Sequence, residues 1–131
     1  MKRFLVIVIF VFLSLNCSRS NLGIKREIKF ADGRKGEVTV EFKRDSAKKE
    51  IIDLTITKDE QVIKIAEVEK EVQQIWSQIK DEAENKDIAE GLIKYVYIAD
   101  IDEKTKKPIY HILFFEAERI ENGTWEITRV N

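Results

Sequence analysis

The chain has 131 residues, of which 23 are basic and 24 acidic, with one histidine, one cysteine and one proline. The near-balanced charge leaves no surplus of Lys and Arg to neutralise phosphates, which argues against a nucleic-acid binder, and a single cysteine excludes an intrachain disulfide. Charged residues are abundant, at 36 %, but of interspersed sign, and 44 % of the chain is hydrophobic, a mixture that fits one folded domain with a solvated surface rather than disorder.

Met1-Lys2-Arg3 is a short basic start, and Phe4 to Leu15 is apolar except for Ser14. This is the anatomy of a secretion signal, and the run is shorter than the roughly 20 residues a membrane-spanning helix needs. Cys17 follows at once. The segment Leu13-Ser14-Leu15-Asn16-Cys17 resembles the lipobox of bacterial lipoproteins, in which the cysteine thiol takes a diacylglycerol and the chain is cut just before it. Ser14 and Asn16 depart from the usual Leu and Gly or Ala, a relaxed form similar to that of spirochaetal lipoproteins. The resemblance covers residues 1–17 only. It implies a signal peptide over residues 1–16, a lipidated Cys17 with a tether over 17–23, and a domain over 24–131. The alternative is an ordinary secretory signal cut between Asn16 and Ser20.

Lipidation would hold the protein on a bacterial envelope membrane, because two or three acyl chains anchor firmly where one is marginal. Ser18 to Gly23, at most on the order of 20 Å when extended, would keep the domain near the membrane surface. No Asp follows Cys17, which by analogy with enterobacterial lipoproteins favours the outer membrane. Cleavage would remove Lys2 and Arg3 and leave 21 basic against 24 acidic residues, a balance with no special attraction for anionic lipids.

Beyond the tether, Ile24, Ile28 and Phe30 alternate with Lys25, Glu27 and Lys29, and Arg26 is the exception on the apolar side. Asp32-Gly33 marks a turn, with Gly36 expected to close it. Val38, Val40 and Phe42, then Ile52, Leu54 and Ile56, continue the period of two. These predict three antiparallel strands. The period then lengthens: Ile65, Val68, Val72, Ile75 and Ile79, with Trp76 and Ala83, recur at three- and four-residue spacing and predict an amphipathic helix. Thr57-Lys58-Asp59-Glu60 has the form of a capping box, so the helix is expected to begin near Asp59. The other reading is a further strand over Val62 to Ala66 and a helix from near Glu67. Gly91 is the stop signal expected after it.

Leu92 to Ile101 is apolar on both faces and reads as a central strand. Asp102 to Pro108 is a turn, and Ile109 to Ala117 pairs through Asn122-Gly123 with Trp125 to Val130. The fold class is therefore α+β: an antiparallel β-meander, one long helix and a second β-meander, with the helix packed on a curved antiparallel sheet. The closing stretch Asn122-Gly123-Thr124-Trp125-Glu126-Ile127 resembles the last hairpin of small cystatin-like or nuclear-transport-factor-like domains.

The catalytic inventory is thin. His111 is alone on a strand, and no serine sits in a strand-turn-helix setting. Asp100, Asp102 and Glu103 lack the spacing of a calcium loop and are followed by Lys104, Lys106 and Lys107, so they read as a solvated hairpin tip. Glu116, Glu118 and Glu121 are the carboxylates a small hydrolase would use. No catalytic residue, metal ligand or cofactor site is assigned. Trp76, Tyr95, Tyr97, Tyr110, Phe114 and Trp125 cannot all face one helix, and those left over would form an apolar ligand or partner surface. The expected function is a non-enzymatic binding or accessory lipoprotein with a protein or ligand partner. The alternatives are a small envelope hydrolase and a structural component of envelope assembly.

Overall fold

The computed structural model describes residues 23–61 and 64–131; the signal segment, Cys17 and residues 18–22 of the tether lie outside them. Strands β1 (Ile24–Lys29), β2 (Lys35–Arg44) and β3 (Glu50–Gln61) precede one helix, α1 (Ile65–Asn85), and β4 (Glu90–Ile101), β5 (Pro108–Arg119) and β6 (Trp125–Val130) follow it. The six strands form one open sheet in sequence order. The α+β class and a helix packed on a sheet are as expected.

The sheet is mixed rather than antiparallel. β3 and β4 run parallel, with Ile52 opposite Gly91 and Ile56 opposite Tyr95, while every other neighbouring pair is antiparallel. The cause is α1. Its 21 residues rise about 30 Å at 1.5 Å each, which carries the chain back to the end of the sheet where β3 began. A strand starting there can only run alongside β3 in the same direction.

The helix begins later than Asp59. Thr57 to Gln61 belongs to β3, with Thr57 opposite Val96 and Gln61 opposite Ile98. Lys58 continues the inward-facing series Ile52, Leu54, Ile56: its ammonium lies 5.0 Å from the centre of the Phe30 ring and 3.2 Å from Glu71 Oε2. Pairing with β4, plus burial of the Lys58 stem, outweighs the local capping pattern. The actual N-cap, Lys64, makes no side-chain capping bond.

The helix also stops without Gly91. Ile88 N–H donates to Ala83 O at 2.8 Å and Asp87 N–H to Glu84 O at 3.0 Å, with Asp87 at φ 56°. This is a Schellman closure with Asp in the left-handed position usually held by glycine, and Ile88 is buried beside it. Gly91 is needed for packing instead: a Cβ there would lie 2.8 Å from Trp76 Cη2 and 2.9 Å from Ile52 Cγ2. Gly36, expected to close the first turn, lies within β2 beneath the Phe30 ring.

The core is a single layer between α1 and one face of the sheet. Val68, Val72, Ile75, Trp76, Ile79 and Ala83 are buried against Ile28, Val38, Val40, Ile52, Leu54, Ile56, Ile93, Tyr95, Phe115 and Ala117. Each fully buried large aliphatic or aromatic side chain contributes about 1.5–3 kcal/mol. Arg26, the polar exception on this face, is matched by Glu82 of α1, with Nε donating at 2.7 Å and a second guanidinium nitrogen at 3.3 Å.

Two stability predictions follow from these close approaches. Gly91→Ala forces Trp76 and Ile52 apart and is expected to cost about 1–3 kcal/mol in urea unfolding. Asp87→Gly relieves the left-handed backbone and is expected to add about 0.5–1 kcal/mol in the same assay.

Candidate functional site

The sheet separates the six aromatic residues singled out in the sequence. Trp76 and Tyr95 are buried beneath α1. Trp125 packs edge-on to Trp76, ring centroids 4.8 Å apart, and its indole N–H donates to Glu84 Oε1 at 2.9 Å. Tyr97 lies next along β4, with its ring centroid 6.1 Å from that of His111. These four belong to the helix side. Tyr110 and Phe114 stand on the opposite face, because β5 places even-numbered residues outward while Phe115 and Ala117 point into the core. The six therefore form no common groove.

At one end of the helix side, Arg34, Lys58, Glu71 and Tyr95 form a bonded polar cluster that lines an open depression. Tyr95 Oη donates to Glu71 Oε2 at 2.7 Å, and Glu71 also meets Lys58 at 3.2 Å and Arg34 at 3.4 Å. Burial, then the hydrogen bond to Glu71, pushes the Tyr95 phenol above its ordinary value of 10.0. Among the described residues, no group of three or more His, Cys, Asp or Glu side chains could hold a metal ion.

The outer face differs between its two halves. On β1–β3 it is charged: Lys25, Glu27, Lys35, Glu37, Glu41 and Lys43 line it. At its centre Asp53, only 5 % exposed, accepts from Lys43 Nζ at 3.1 Å and Lys94 Nζ at 3.3 Å. On β4–β6 it is apolar toward the β4–β5 turn and acidic toward the β5–β6 turn. Ile98 faces Tyr110 and Val96 faces Ile112 in successive cross-strand rows, and in the next row Phe114 stands between Lys94 and Val130. Tyr110, Ile112, Phe114 and Val130 are 47, 49, 39 and 43 % exposed, and Val96 and Ile98 are half-buried between them. Together they make a contiguous exposed apolar patch on a chain rich in charge.

The same region has an open edge. The β5–β6 ladder ends at Phe114 and Val130, so among the described residues Pro108 to Leu113 pairs with β4 alone. Arg119 N–H turns toward Ala89 and Ile120 N–H toward Thr124. Carried back along β5, that alternation leaves the backbone groups of Tyr110 and Ile112 on the free side. Past Pro108, Ile109-Tyr110-His111-Ile112-Leu113 carries no Lys, Arg, Asp, Glu or Pro, the residues that ordinarily blunt an edge. Alternation around Tyr110, Ile112 and Phe114 was visible in the sequence; the missing signal was which side α1 covers.

The acidic candidates lie at the far end of this face. Glu116 and Glu118 line a shallow depression with Glu90 and Asp45, and Glu90 is held by Lys49 at 2.7 Å. Glu121 lies apart, in the β5–β6 turn. Asp100 and Asp102 are occupied locally: Asp100 Oδ1 accepts from Ile101 N–H, and Asp102 Oδ1 accepts from the N–H groups of Lys104 and Thr105.

Neither family models, nor curated proteins, nor solved structures give a match to this chain.

The Tyr95 environment makes a pH prediction. A phenol whose folded pKa exceeds the unfolded value contributes stability that is complete below about pH 10 and is lost as pH rises toward the folded value. Thermal denaturation is expected to fall in Tm above pH 10, and Tyr95→Phe is expected to flatten that decline.

Proposed function

We propose that this chain is a non-enzymatic binding or accessory lipoprotein of a bacterial envelope, anchored through Cys17 to a membrane, in the first instance the outer one. The observation that carries the binding reading is the exposed apolar face of β4–β6, opposite the helix and continuous with the uncharged edge of β5. A face of this kind suits a protein partner, because apolar cross-strand rows and free backbone groups together accept a polypeptide by packing and by strand addition. The acyl anchor and short tether would hold that face close to the membrane surface.

The hydrolase alternative is supported by one arrangement, the depression where Glu116 and Glu118 approach Glu90. A structural role in envelope assembly would use the same apolar face.

Two experiments test the proposal. Ile112→Lys with Phe114→Lys, both on exposed positions, is expected to leave thermal stability nearly unchanged and to abolish the cross-linked complexes recovered from the native envelope. Recovery of the same complexes by the double variant would overturn the docking face. Cys17→Ala is expected to move the protein from the membrane to the soluble fraction, and unchanged membrane retention would overturn the anchor.

A further inference from the structure

We infer that the open edge of β5, Ile109 to Leu113, is a strand-addition site for an uncharged, extended segment of a partner protein. The inference rests on the docking face proposed above and names what its edge receives. Among the described residues, β1, β6 and the part of β5 that β6 does not reach have no neighbouring strand on one side. Their chemistry differs. β1 carries Lys25, Arg26, Glu27 and Lys29, and β6 carries Glu126 and Arg129. Charges of this kind, lysine above all, blunt an edge against pairing with another chain. Ile109 to Leu113 has none of them, in a chain that is 36 % charged.

This stretch is also apolar on both sides of the sheet. Tyr110 and Ile112 are exposed on the outer face, while Leu113 packs against the core and Ile109 is exposed on the helix side. A continuous apolar run is the pattern of an interior strand, yet here it lies at an edge.

The backbone is set for a further strand. Arg119 N–H turns toward Ala89 and Ile120 N–H toward Thr124, so odd-numbered residues of β5 serve β4 and even-numbered ones serve β6. The irregularity between Ile98 and Asp100 puts its extra residue in β4, and β5 keeps its alternation. Past the last β6 pair, Phe114 with Val130, the same alternation leaves the N–H and C=O of Ile112 and Tyr110 on the open side. Pro108 fits the series, because its missing N–H falls on that side, where proline removes no ladder bond. A segment entering antiparallel, in line with β6, finds two hydrogen-bonding groups at Ile112, two at Tyr110 and the Pro108 carbonyl beyond. It continues a ladder that β6 has already begun.

The occupant follows from this edge. Five residues span about 17 Å, the length of an ordinary strand. Side chains of the added segment would lie beside Tyr110 and Ile112 on one face and Leu113 on the other. A charge buried there would meet no counter-charge from Ile109 to Leu113. An uncharged segment of β-branched residues fits, with main-chain bonds supplying the affinity.

The test uses the full chain in detergent micelles, with amide hydrogen exchange read at single residues. The probe is a capped nonapeptide of alternating Val and Thr. In excess it is expected to slow exchange at Tyr110 and Ile112 by about tenfold or more. The same peptide N-methylated at its central nitrogens, or with Lys in place of each Val, is expected to give no slowing. Ile112→Pro removes one edge donor and no bond to β4, and is expected to weaken peptide binding about tenfold. If that variant does not fold, the N-methylated peptide tests the same bonds from the other side. No slowing by the plain peptide, or equal slowing by the N-methylated one, overturns the inference. So does slowing without peptide that grows with protein concentration, the mark of a second copy. If the inference fails while Ile112→Lys with Phe114→Lys still abolishes the native complexes, the docking face stands without strand addition. If that double variant keeps the complexes, both fall.

Discussion

The structure depends on one constraint: a single helix has one apolar stripe, and a sheet has two faces. Burying Val68, Val72, Ile75, Trp76, Ile79 and Ala83 against the sheet satisfies the helix and one face at once. It also sets the topology, because a helix of this length returns the chain to its starting end and makes the central β3–β4 pair parallel. That pair is the junction of the two meanders. Gly91 is the point of closest approach, where the absence of a side chain lets Trp76 settle between β3 and β4.

The face without a helix must meet water, and its two halves do so differently. On β1–β3 the chain uses charge of both signs, with Asp53 held between two lysines at the centre of the sheet. That arrangement stays soluble and offers nothing for an apolar partner to bury. On β4–β6 the same pleat carries Val96, Ile98, Tyr110, Ile112, Phe114 and Val130 toward one end and Glu116, Glu118 and Glu126 toward the other. The contrast between halves built on one continuous sheet gives the outer surface its polarity: charged on one side, with an apolar patch on the other.

The polar groups on the helix side are used for closure. Arg26 meets Glu82, Trp125 meets Glu84, and Tyr95 meets Glu71, each bond joining the sheet to α1. An arrangement that spends its carboxylates on fastening helix to sheet leaves the helix side chemically occupied. The indole nitrogen of Trp76 is the one buried side-chain donor without a partner among the described residues; its ring fills the space over Gly91, and nothing in the structure explains the unpaired N–H.

Local periodicity by itself determined the elements. The period-two runs around Val38, Ile52 and Ile112, the three-to-four spacing from Val68 to Ala83, and the turns at Asp32-Gly33 and Asn122-Gly123 are properties of neighbouring residues, and each stands where its pattern placed it. Only the tertiary structure decided the parallel pairing of β3 with β4, the late start of α1 at Ile65 and the side of the sheet on which each aromatic stands. Those depend on contacts between residues far apart in the chain. Thr57 to Gln61 forms strand because β4 lies beside it, and Asp87 ends the helix because Ile88 has a core to enter. Tyr110 and Phe114 are exposed because α1 covers the other face.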